Sequence, residues 1–175
     1  MRFFVIKNMK QIIIAAFFLI MMTACINPFS PAICLDENVG NIFGDQKTID
    51  GFFKNFQYAY NFKDTITYRK LLDEKFVFYY RNYDAGFDAS WTRTEDLFTT
   101  YRLFIAAKSL DLVWNDILYQ NGDSLQVNIV RGFNLSITFS PSDIVRLYGK
   151  ANFMLARKDT AEVWKLIKWV DESTY

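Results

Sequence analysis

Leu125-Gln126-Val127-Asn128-Ile129-Val130-Arg131-Gly132-Phe133-Asn134-Leu135-Ser136-Ile137-Thr138-Phe139 alternates apolar and polar residues, with the odd positions apolar except Arg131. Successive strand side chains point to opposite sides, so a period of two over this length marks a strand with one buried face. The flanking segments thread against it. Upstream, Leu110, Leu112 and Trp114 form a second apolar face, and Asn121-Gly122 suits a two-residue type I′ turn. That turn pairs Gln120 with Asp123, Trp114 with Ile129 and Leu110 with Phe133. Downstream, Pro141 ends the ladder, and pairing Phe139 with Asp143 sets Leu135 against Leu147 and Ile129 against Phe153. Both steps put the apolar faces on one side, where a one-residue slip would turn them to water. Ala161 to Val170 supplies a last strand carrying Trp164, Leu166 and Trp169.

Before this meander the period changes. Phe52, Phe53, Phe56 and Tyr60 fall on one stripe of a helix from Thr48 to Tyr60. Asp64 sits at an N-cap position, and Ile66, Leu71 and Leu72 continue a second helix to about Asp73. Phe76 to Tyr80 reads as a short strand, and Asn82, Asp84, Gly86 and Asp88 mark a loop over Arg81–Ser90. Thr92 with Glu95 makes a capping box, and Leu97, Phe98, Tyr101, Leu103, Phe104 and Ile105 fill a third helix to about Ala107.

This order predicts an α+β fold, three N-terminal helices packed on the concave face of a curved antiparallel sheet. It resembles the cone-shaped nuclear transport factor 2-like fold, which also houses ketosteroid-isomerase-like proteins. The residues that carry the resemblance are Tyr68-Arg69-Lys70-Leu71-Leu72 leading to Phe76-Val77-Phe78, the helix start from Trp91 to Glu95, and the ending Trp164-Lys165-Leu166-Ile167-Lys168-Trp169-Val170-Asp171. Membership implies a conical pocket between helices and sheet and frequently a homodimer. It implies no particular reaction, since one fold hosts enzymes, binders and adaptors. The family ending also implies a bulge near Lys168 that turns Trp169 inward and brings Asp171 to the cavity.

The start of the chain speaks to location. Arg2, Lys7 and Lys10 precede the apolar run Ile12 to Met22, and Thr23 and Ala24 stand before Cys25. This is the order of a secretory signal, with Met1 or Met9 as its start. Eleven helical residues rise about 16 Å against roughly 30 Å of hydrocarbon, too short for a membrane span. Met22-Thr23-Ala24-Cys25 resembles the bacterial lipobox, which implies cleavage before Cys25 and diacylglycerol on its thiol. The expected organisation is a signal peptide at 1–24, lipidated Cys25 with a tether to residue 44, and one domain at 45–175. Several acyl chains together hold a protein on a membrane durably. The expected place is therefore the cell envelope, lipid-anchored on the periplasmic or outer-membrane side. With Cys25 lipidated, Cys34 has no partner in the chain.

Composition narrows the chemistry. Removing the three signal cations leaves 17 basic against 19 acidic residues, interspersed, so no cationic field exists for nucleic acid. The absence of histidine excludes histidine triads, common zinc sites and imidazole acid–base catalysis. No catalytic set, metal site or cofactor fingerprint is present, and the seven glycines are scattered. Arg131 breaks the alternation, expected between Leu112 and Ala151, and a buried guanidinium needs a partner. One reading makes Arg131, with Asp171, the anchor of a pocket lined by Trp114, Phe133 and Trp169 that orients an acidic or carbonyl-bearing apolar ligand. Its rivals are a bulge at Gly132 that swings Arg131 to solvent, or a structural ion pair. Asp116 or Asp171 is a candidate base for isomerase-type chemistry, while Tyr148 falls at an outward position unsuited to holding an oxyanion. The expected function is noncatalytic binding of a small apolar ligand or partner protein. The alternatives are a cofactor-independent isomerase-like or dehydratase-like enzyme, or an adaptor using the outer sheet face with Val130, Tyr148 and Met154.

Overall fold

The computed structural model describes residues 42–83 and 86–172. The signal segment, Cys25, Cys34, most of the tether and Asp84 lie outside the described residues. Helix α1 spans Ile49–Asn61, with the Thr48 hydroxyl accepting from the Gly51 amide at 3.0 Å. Its aromatic stripe enters the core: Phe52, Phe53 and Phe56 are at most 1% exposed. Helix α2, Thr65–Leu71, starts on Asp64, whose carboxylate accepts from the Ile66 and Thr67 amides at 3.0 Å each. It ends sooner than the sequence suggests, because strand β1 runs over Leu72–Asn82 and buries Leu72 and Phe76.

The expected loop after it is mostly strand. β2 covers Phe87–Thr92 and pairs Phe78 with Trp91 and Tyr80 with Ala89. Trp91 packs 5.2 Å from the Phe78 ring and 5.0 Å from that of Tyr80. That contact outweighs the turn-forming composition, and the bend contracts to the neighbourhood of Gly86, which takes the positive φ of 74°. Helix α3, Arg93–Ala106, carries the expected Thr92/Glu95 capping box.

Strands β3 (Ser109–Gly122), β4 (Gln126–Ser140), β5 (Asp143–Ala156) and β6 (Lys165–Asp171) complete one six-stranded sheet of order β2-β1-β6-β5-β4-β3. The sheet is mixed, since β6 lies parallel to β1 while the other pairs are antiparallel. Among the described residues two helices precede the first strand, and the third follows β2. The β4–β5 register matches expectation, with Leu135 facing Leu147 and Ile129 facing Phe153. The β3–β4 register does not. Trp114 faces Phe133 and Leu110 faces Ile137, because the turn is built on Asp123, whose carboxylate accepts from the Leu125 and Gln126 amides at 2.7 and 2.9 Å. The displacement is even at Trp114, so the apolar face is preserved.

Irregularities between Trp114 and Ile117 and between Ile117 and Tyr119 take up the remaining offset. At the first, Asn115 leans over Gly132, where a Cβ would meet Asn115 Cβ at 3.2 Å. In β6 a shift beside Ile167 lets Leu166 face Leu155 and Trp169 face Phe153. Both side chains therefore reach the core although they are three residues apart. Asn61 clamps α1 to the edge strand, accepting from Leu112 N at 2.6 Å and donating to Leu112 O at 3.3 Å.

Candidate functional site: an aromatic cavity under the first helix

Between α1 and the apolar sheet face lies a cavity of about 140 Å³. Phe56 and Tyr60 roof it, and Trp114, Phe133, Leu135 and Leu147 form its floor and one side. Phe78, Trp169 and Asp171 close the other side. The rings are fixed by one another: Trp114 sits 5.0 Å from Phe53 and 5.6 Å from Phe56, and its indole nitrogen donates to Phe53 O at 3.1 Å. Trp169 packs 4.8 Å from Phe78 and 5.1 Å from Phe153. Its indole Nε1 is buried without a hydrogen-bond partner among the described residues. An unpaired buried N–H costs on the order of 1–3 kcal/mol, so a small turn of the indole that brings the enclosed Nε1 to an acceptor in the cavity would be favoured.

Four of the five pocket residues singled out from sequence, Trp114, Phe133, Trp169 and Asp171, border this cavity. Arg131 is not among its lining residues. It faces Ala151 as expected but Ile117 instead of Leu112, and Asp171 stands beyond Ala151 in the same row. The Arg131 guanidinium lies on the Phe53 ring at 4.7 Å and its Nε donates to Asn115 O at 2.7 Å. Partial burial lowers its pKa, opposed by the charges of Asp50 and Asp116. Neither the solvent-swung position nor a buried ion pair describes it; the ring face and a carbonyl satisfy it instead. Asp116 is exposed near Arg131 and outside the cavity lining, and Tyr148 is exposed on the outer face.

A second polar group lies beside the roof. Tyr68 donates to the Asp96 carboxylate at 2.8 Å, with Tyr60 and Thr100 adjoining. Burial raises the Asp96 carboxyl to about 6 against the opposing Tyr68 hydrogen bond, and burial raises both tyrosine hydroxyls further above their usual range. Sequence reasoning treated Tyr60 as packing and missed Asp96. The only trace of Asp96 in the sequence is its spacing of four from Thr100 and eight from Phe104. No group of three or more His, Cys, Asp or Glu among the described residues could hold a metal ion.

An α+β cone with an apolar cavity beneath its first helix defines the class, and solved structures share it. A candidate scytalone dehydratase from Novosphingobium aromaticivorans DSM 12444 superposes with a TM-score of 0.62 at 14% identity, over 73% of this chain and 82% of that one. A candidate dehydratase of the nuclear transport factor 2-like family from Streptomyces avermitilis gives 0.56 at 16% identity, over 71% and 92%. LinA gives 0.59 at 10% identity, over 73% and 84%. No family model matches the chain, and no curated protein matches it in sequence. At these identities the likeness is one of fold: the domain has the nuclear transport factor 2-like fold.

Proposed function

We propose that this chain is an envelope lipoprotein whose cone holds a small, ring-sized apolar molecule carrying a hydroxyl or carbonyl oxygen. The observation that carries the reading is the aromatic cavity of about 140 Å³ beside the unpaired Trp169 indole N–H. An apolar cavity near 150 Å³ accepts benzene, which sets the size class at about one ring. The ligand oxygen accepts from Trp169, and a hydroxyl in addition donates toward Asp171. Arg131, held on Phe53, has no part in orienting it.

Native mass spectrometry of the purified chain, followed by titration with phenol and benzaldehyde under tryptophan fluorescence, tests this. Saturable binding, weakened about tenfold by Trp169→Phe and abolished by Leu147→Trp, is expected from the loss of a buried hydrogen bond and of the cavity. Binding indifferent to Leu147→Trp would refute it. For the anchor, the expected mature N-terminus is a lipidated Cys25; an unmodified Cys25 in a disulfide with Cys34 would refute the lipoprotein reading.

A second reading, a cofactor-independent dehydratase-like or isomerase-like enzyme, is favoured by Asp171 on an otherwise apolar cavity and by the dehydratase descriptions of two neighbours. There Asp171 removes a proton from carbon and Trp169 steadies the developing oxyanion. Asp171→Asn separates the two: it abolishes turnover while retaining ligand if the chain is an enzyme, and changes only affinity if it is a binder.

A further inference from the structure

The outward faces of α2 and α3 carry apolar side chains that no packing explains. Ile66 is 67% exposed, Phe98 61%, Tyr101 50% and Ile105 66%. Phe98, Tyr101 and Ile105 follow one another at spacings of three and four and so form one stripe of α3. Between the two helices runs a groove lined by Ile66, Leu97, Phe98 and Tyr101, with Arg69 and Arg93 also on it and no carboxylate among its lining residues. The Arg93 Nε is buried with no hydrogen-bond partner, while its terminal nitrogen reaches Arg69 O at 3.2 Å and Glu74 at 3.5 Å, the latter 83% exposed. Arg102 adds a third cation over the Phe98 ring at 5.7 Å. Of the nearby acids, Asp64 and Glu95 cap the helices, Asp96 faces inward and Glu74 pairs with Arg93, which leaves Arg69 and Arg102 as the cations turned outward.

We propose that this face seats the domain on an anionic bilayer, with Ile66, Phe98 and Tyr101 entering the interface and the exposed Arg69 and Arg102 meeting lipid phosphates, while Arg93, only 18% exposed and paired with Glu74, braces the groove. Protruding aromatics beside exposed arginines are what an anionic membrane surface attracts. A second copy is a poorer occupant, since a two-fold contact here would bring each pair of arginines against its own counterpart. The chain outside the described residues has the reach. Residues 26–41 extend to roughly 55 Å at most, enough for any face to turn to the membrane that would hold Cys25.

The test uses a chain beginning at residue 25 with Cys25→Ser, which keeps every described element and removes the anchor. Its co-sedimentation is measured with phosphatidylcholine vesicles and with vesicles that also contain phosphatidylglycerol. Binding to the anionic vesicles is expected to fall about fivefold for Arg69→Gln and for Arg102→Gln and about tenfold for Phe98→Ser, and to weaken in high salt. Tyr148→Ser, equally exposed on the outer sheet face, leaves it unchanged. Far-ultraviolet circular dichroism melts certify that each variant folds. No vesicle binding, equal loss in Tyr148→Ser, or a solution dimer that Phe98→Ser dissolves would each overturn the proposal. The proposal rests on the envelope reading only for which bilayer lies within reach. Because the tested chain lacks the anchor, absence of lipid on Cys25 would defeat that reading without altering the vesicle result.

Discussion

Helices α1 and α3 are nearly equal in length, 13 and 14 residues, and both start from a threonine cap, yet only α3 turns a carboxyl inward beside its buried apolar residues. α1 buries Phe52, Phe53 and Phe56 against the sheet; α3 buries Asp96, Thr100 and Phe104 and leaves Phe98, Tyr101 and Ile105 in the open. The difference teaches that an apolar stripe names the core-facing side only when the opposing surface is apolar too. α1 lies on Phe153 and Trp114, whereas α3 meets the hydroxyl of Tyr68. A polar stripe there satisfies a buried phenol, and the apolar stripe is released for the exterior.

The sharpest way to break this comparison is to truncate one ring from each helix. Phe56 touches Tyr60, Tyr68, Trp114, Phe153 and Trp169, so Phe56→Ala is expected to cost about 3–5 kcal/mol in urea unfolding. Phe98→Ala should stay within about 0.5 kcal/mol. Similar losses at the two positions would mean that α3 has a hidden apolar partner.

Next in size is the buried carboxyl itself. The Asp96 pKa is raised by burial, to about 6 in the fold against an ordinary 3.8. The folded chain therefore holds this proton at pH values where the unfolded chain has released it. For this group stability is highest below pH 4, falls as pH rises through 4 to 6, and stays level above. The shift is worth at most about 3 kcal/mol at pH 7. Asp96→Asn keeps an acceptor for Tyr68 and removes the charge, so it is expected to stabilise the protein at pH 7 by about 2 kcal/mol and to be neutral below pH 4. Asp64 and Asp123, whose pKa values are lowered by hydrogen bonds that outweigh burial, act in the opposite sense in both proteins and cancel in the difference. A difference between variant and parent that does not change with pH would show that folding leaves the Asp96 pKa where it is in the unfolded chain.

What was legible in the sequence follows the same division. The α1 stripe, the β4 alternation, the β4–β5 register and the Thr92/Glu95 box are local or rest on one strong periodicity, and each is found where expected. The parallel β1–β6 pair joins segments about ninety residues apart, as in Phe78 facing Trp169, and no local signal announces it. The β3–β4 turn offered two chemistries, Asn121-Gly122 and the Asp123 side chain, and the second won. Of the site, the residues that follow alternation were visible. Arg131 was conspicuous as an exception, but its chain is long enough to reach the Phe53 ring, a destination that register alone does not reveal. Tyr60 and Asp96 stayed hidden because each looks unremarkable in its own helix and acquires meaning only beside Tyr68.

The smallest expected effect separates the two helix starts. Thr48 does two things: its oxygen accepts from Gly51 N at 3.0 Å and its hydroxyl donates to Asp45 O at 2.8 Å, tying the incoming chain to a helix whose next turn is buried aromatic. In the α3 box the Glu95 carboxylate accepts from Thr92 N at 2.7 Å, while the reverse bond from Glu95 N to the Thr92 oxygen is stretched to 3.5 Å. Thr48→Ala should therefore cost about 1–2 kcal/mol and Thr92→Ala about 0.5–1 kcal/mol. The first turn of α3 also leads into Asp96, whose charged form gains solvation when that turn opens. Loosening the cap at pH 7 thus relieves part of a penalty that is absent at pH 4. The Thr92 backbone amide and then its hydroxyl hold the Glu95 carboxyl low, so on the Asp96→Asn background Thr92→Ala should cost more at pH 7 than at pH 4. On the parent background the relief at Asp96 should make that rise with pH smaller, and an equal rise on the two backgrounds would uncouple the cap from the buried carboxyl.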